Sequence, residues 1–73
     1  MKSEWPINGS DLVRRLGLPH DPHHVLTVVR PLLRELGCPK TSASPRANWI
    51  VDRAMARRVE EILRARGYPV LPQ

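Results

Sequence analysis

Seventy-three residues hold one small domain, and a chain this short buries so little of its own surface that its core is marginal; a binding module fits better than an enzyme. Twelve basic residues face seven acidic ones for a formal charge of +5, and all the basic ones except Lys2 and Lys40 are arginine. The planar fork of arginine matches phosphate bidentately, although a GC-rich genome, bacterial or phage, accounts for the same bias with comparable weight. Aromatics are limited to Trp5, Trp49 and Tyr68, so aliphatic side chains must build the core, which suits packed helices. The lone Cys38 rules out an internal disulfide, and no apolar run is long enough for a signal or membrane segment. A soluble protein of the reducing cytoplasm, without membrane contact, is the expectation.

The pattern divides 1–73 as a single helical domain into an N-terminal arm over 1–7, a helical core over 8–67 and a tail over 68–73. Helix one opens at Asn8 or Ser10; Asn8 as cap puts Asp11 at the third helical position and sets Ile7 against Leu12. Leu12, Val13 and Leu16 make its inward stripe and Gly17 ends it, with Arg14 and Arg15 turned to water or a ligand. The turn Leu18-Pro19-His20-Asp21 leads into Pro22, a residue pre-set for a first helical position, with the Asp21 carboxylate expected to cap. Val25, Val28, Val29, Leu32, Leu33 and Leu36 keep helical spacing up to Gly37. Pro31 interrupts the backbone ladder at the Thr27 carbonyl; because the stripe runs past it, a kinked helix is favoured over a break at Arg30.

From Cys38 to Ala47 small and polar residues show no periodicity and read as an exposed loop: a wing, a binding element or a mobile segment. Asn48 to Val51 follows as one short strand or extended segment carrying Trp49. Asp52 caps the last helix, whose inward stripe is Met55, Val59, Ile62 and Leu63, and Gly67 closes it. The tail either folds back through Val70 and Leu71 or frays.

The basic residues form the first functional constellation. On the last helix Arg57 with Glu61 and Glu60 with Arg64 stand at ion-pair spacing, leaving Arg53, Arg58 and Arg66 free. Arg30, Arg34, Lys40 and Arg46 have only Glu35 as a nearby acid, so phosphate contact follows if they converge on one face. The loop adds hydroxyls and amides at Thr41, Ser44 and Asn48, and its Ser-Pro-Arg stretch is slim enough for a minor groove. His20, His23, His24 and Cys38 are zinc-ligand types, but one cysteine without a Cys-x-x-Cys pair fits no finger or ribbon. No metal, other cofactor or catalytic residue is assigned, since no nucleophile, base and orienting group can be named together.

Asp11-Leu12-Val13-Arg14-Arg15-Leu16-Gly17, Val28-Val29-Arg30-Pro31-Leu32-Leu33-Arg34-Glu35-Leu36-Gly37, and Trp49-Ile50-Val51-Asp52 ahead of Met55-Ala56-Arg57-Arg58-Val59 together resemble small helix-turn-helix modules of actinobacteria and their phages. The chain is also distantly similar to the DNA-binding domain of actinobacterial xenogeneic silencers. In those an Arg-Gly-Arg loop enters the AT-rich minor groove, and the nearest equivalent here is Ser44-Pro45-Arg46-Ala47-Asn48, with one arginine and no glycine. The resemblance implies double-stranded DNA as ligand, with Arg30, Arg34 and the loop cations nearest to it.

The expectation is therefore a mainly α, three-helix, helix-turn-helix-like domain with a long loop or short wing before the last helix. It binds DNA through Arg30, Arg34, Lys40, Thr41, Ser44, Arg46, Asn48 and Arg53, as a transcriptional regulator or a nucleoid- or phage-associated factor. Homodimerisation is left open. The alternative is a non-enzymatic protein-interaction module, a phage or regulatory adaptor on an acidic partner, which requires an exposed apolar patch such as Trp5, Tyr68 and Val70 beside the arginines.

Overall fold

In a computed structural model, which describes residues 4–44 and 47–73, the chain forms three helices: α1 (Gly9–Leu16), α2 (Pro22–Glu35) and α3 (Arg53–Ala65). Cap chemistry sets two of the three starts. Asn8 accepts from the Asp11 amide at 2.8 Å and Asp52 from the Met55 amide at 2.7 Å, each satisfying one of the orphan N–H groups of a first turn. The third start differs from the sequence expectation, because the Asp21 side chain makes no capping bond to α2. Its backbone at φ −55° and ψ 130° stands apart from the extended geometry that the two working caps share, φ −91° and ψ 174° at Asn8 and φ −86° and ψ 174° at Asp52, and its side chain is exposed.

α2 runs unbroken through Pro31, so one helix, rather than two meeting at Arg30, carries Arg30 and Arg34. The proline is tolerated because it and Thr27, whose carbonyl loses its helical donor, both lie on the exposed face. A carbonyl without its helical donor is therefore not sealed in the core.

The core follows most of the expected stripes, although Val28 and Leu36 of α2 are only half-buried. Leu12, Val13 and Leu16 of α1 meet Val25, Val29, Leu32 and Leu33 of α2, and Val59 and Leu63 of α3 close the cluster with Val51, Ala56, Cys38 and Val70. Met55 and Ile62 are only half-buried, and Ala56 and Glu60 replace them on the fully inward edge of α3. The helical period admits both arcs, and packing against the tail selects this one.

Among the described residues no strand forms between Asn48 and Val51; the segment is extended and held by two isolated bridges, Ile7 with Val51 and Lys40 with Trp49. Ile7 and Val51 exchange both backbone bonds at 2.8 Å, while Ile50 donates to the Pro39 carbonyl at 2.8 Å and Thr41 to the Asn48 carbonyl at 3.0 Å. Alternate peptides thus bond to opposite neighbours. The segment is the middle of a short three-stretch arrangement, and it fixes the N-terminal arm and the exit of α2 against each other.

The tail folds back. The Leu71 amide donates to the Leu16 carbonyl at 2.9 Å and the Gln73 side-chain amide to the Arg15 carbonyl at 3.0 Å, so the tail satisfies carbonyls that the end of α1 leaves open. The Gln73 backbone amide bonds to Glu60 on α3 at 2.5 Å. The tail is therefore a strap between α1 and α3. Among the described residues no helix is long and apolar enough to cross a membrane.

Candidate nucleic-acid interface

Arg30 and Arg34 stand one turn apart on the flank of α2 that faces the start of α1. Lys40 reaches the same place from the stretch after α2, and Asn48 and Trp49 from the extended segment bridged to it. These residues line one concavity of about 190 Å³ together with Gly9, Ser10, Leu26 and Ala47. No carboxylate is among its walls.

Electrostatics follow from that composition. Among the described residues neither Arg30 nor Arg34 forms an ion pair. Lys40 places its ammonium nitrogen 4.4 Å from the centre of the Trp49 ring, a cation–π contact that leaves the charge uncompensated. Gly9 and Ser10 belong to the first turn of α1, where backbone N–H groups lack helical acceptors and the helix dipole is positive. Three side-chain cations and a helix N-terminus on one concave wall favour an anion with several acceptor oxygens.

The other basic residues are distributed differently. Arg14 pairs with Asp11 at 2.6 Å, Arg64 with Glu60 at 2.7 Å, and Arg15 pairs with Glu4 while its guanidinium carbon lies 4.7 Å over the Trp5 ring. The expected pair of Arg57 with Glu61 is not formed among the described residues. Both side chains are exposed, where such a contact gains too little to hold two flexible chains together. Glu60 differs because it is buried beneath the tail and already held by Gln73.

Of the eight residues expected at the interface, the structure brings Arg30, Arg34, Lys40 and Asn48 together. Thr41 and Ser44 are exposed on the loop outside the concavity, with the Thr41 amide committed to Asn48. Arg53 sits at the exposed first position of α3, away from the concavity, and Arg46 lies outside the described residues. Sequence reasoning missed Gly9, Ser10 and Trp49. The only local signal for the first two was the Asn8 cap, which announces a helix N-terminus but not what faces it.

His20, His23, His24 and Cys38 are not gathered: the His20 and His24 rings meet edge to face with centroids 5.9 Å apart, while Cys38 is buried at the end of α2. Among the described residues no three His, Cys, Asp or Glu side chains are placed to hold a metal ion. The Cys38 Sγ–H donates to the Ile50 carbonyl at 3.3 Å. Burial, and secondarily the Asp52 carboxylate, push this thiol above its ordinary value of 9.0, against a smaller opposing effect of the Ile50 backbone. That is the opposite of an activated nucleophile.

Comparison with protein-family models, with curated protein sequences and with solved structures finds no match to this chain.

Proposed function

We propose that the chain is a DNA-binding protein that grips the phosphate backbone with Arg30, Arg34 and Lys40, acting without chemistry as a transcriptional regulator or a nucleoid- or phage-associated factor of the cytoplasm. One observation carries the reading: three cations from two separate stretches line one concavity that holds no acid. In this reading α1 and α2 act as a helix-turn-helix-like pair with a short wing before the last helix. That is the arrangement implied by the resemblance to small actinobacterial and phage modules.

Titration of a labelled duplex at two salt concentrations tests it. Three neutralised phosphates give a slope of about −2.7 in log affinity against log salt, so affinity falls roughly 40-fold from 50 to 200 mM. Absence of binding at the lower salt overturns the proposal. The protein-interaction alternative calls for an exposed apolar patch, such as Trp5, Tyr68 and Val70; Val70 is buried, Trp5 and Tyr68 are half-buried against the core, and Leu71 is the exposed large hydrophobic among the described residues.

A further inference from the structure

Beside the cationic concavity lies a second one of opposite character. The two share Ser10 and Leu26 and so form halves of one groove along the seam between α1 and α2. The second half, about 440 Å³, is floored by Val13, Pro22 and Leu26 and flanked by Arg14 and His23. Asp11 holds the Arg14 guanidinium at 2.6 Å, and His23 stands exposed in the first turn of α2.

We propose that this groove seats an unpaired nucleotide of a single strand, with its phosphate in the Arg30, Arg34 and Lys40 half and its base in the half floored by Leu26. The inference rests on the backbone-binding reading above and narrows its ligand. A duplex brings phosphates to the cations but keeps its bases stacked inside, so it leaves the apolar half empty. An unpaired base offers a flat apolar face, and imidazole and guanidinium planes are side-chain surfaces on which such bases stack. Only a ligand that carries an anion next to an apolar plane complements both halves at once.

The test is fluorescence anisotropy with a labelled oligothymidylate and, separately, a duplex, at one salt concentration, for wild type, His23→Ala and His23→Phe. His23 is exposed and lines only the apolar half, so both variants are expected to fold, which their melting temperatures check. His23→Ala is expected to weaken the single strand about five- to a hundredfold and the duplex by less than about twofold, and His23→Phe to restore most of the loss. Equal losses on both ligands, or no loss on the single strand, overturn this inference while duplex binding by the wild type leaves the backbone reading standing. A wild type that binds neither ligand overturns both.

Discussion

Lys40 rests its ammonium nitrogen 4.4 Å from the centre of the Trp49 ring, across the bridge that pairs the two backbones. On another side the indole is confined by Gly9, where an added Cβ would stand 3.1 Å from Trp49 Cδ1. The ring is thus held between the start of α1 and a lysine, and it aims that lysine at the concavity. Trp49→Ala removes the support without removing a charge. Duplex affinity should fall by about two- to fivefold, the worth of an exposed cation–π contact, while the salt slope stays the same. A changed slope would mean that Trp49 does more than direct Lys40.

Arg30→Ala, Arg34→Ala and Lys40→Ala should each weaken duplex binding and reduce the salt slope by about one. Arg57 and Arg58 point outward from α3 and do not line the concavity. Arg57→Ala and Arg58→Ala should leave the slope where it is. If the α3 variants lower it as much as the α2 variants, general charge attracts DNA and the concavity has no special part.

Gly17 closes α1 at φ +62°, with its amide bonded to the Arg14 carbonyl at 3.3 Å, and a Cβ there would fall 2.4 Å from Leu71 Cδ1. Gly17→Ala combines left-handed strain of about 1–2 kcal/mol with displacement of the Leu71 side chain from the end of α1. The melting temperature should drop by at least roughly 4–8 °C, the shift that 1 kcal/mol makes in a domain of this size. A variant as stable as wild type would contradict both the left-handed strain at this position and the contact of Leu71 with the end of α1.

Glu60 accepts from the Gln73 amide at 2.5 Å and from Arg64 at 2.7 Å while itself buried. Glu60→Ala leaves a part-buried amide without its acceptor, a loss of about 1–3 kcal/mol. Heat denaturation should register that loss, and faster hydrogen exchange at the Leu71 and Gln73 amides should accompany it. Unchanged exchange there would detach Glu60 from the tail.

The Cys38 thiol has a raised pKa in the folded protein, so it is protonated when the unfolded chain has already ionised. Its contribution to stability is complete below the ordinary value of 9.0 and is lost as pH rises from there through the folded value. Cys38→Ser or Cys38→Ala should flatten the alkaline fall in stability measured by denaturant titration, and the wild-type thiol should react with an alkylating reagent far more slowly below pH 9 than an unfolded control. Fast labelling of the native protein would contradict its burial.

Much of the fold was legible because the relevant forces are local. A cap and the amide it serves lie three residues apart, and the Asn8 and Asp52 caps could be read directly. Asp21 carried the same signal and makes no cap, its ψ of 130° standing apart from the 174° that Asn8 and Asp52 share. The two possible pairs on α3 had identical spacing but opposite order, with the acid first, the better orientation on a helix, only in Glu60 with Arg64, and the tail's hold on Glu60 adds to that difference. At the interface Arg30 and Arg34 were legible as two cations on one helix flank. Arg53 was not distinguishable from them in composition, and its separation is a matter of which side of α3 the core takes.

Taken alone, the amino-acid order determined three helices, two of their caps and most of their inward stripes, since helical period and cap chemistry act within about four residues along the chain. Tertiary packing decided which cations share a wall. Gly9, Arg30, Lys40 and Asn48 are far apart in sequence, and they meet because α1 packs on α2 while the extended segment pairs with both the N-terminal arm and the exit of α2. That convergence is the sum of long-range contacts, which no local pattern encodes.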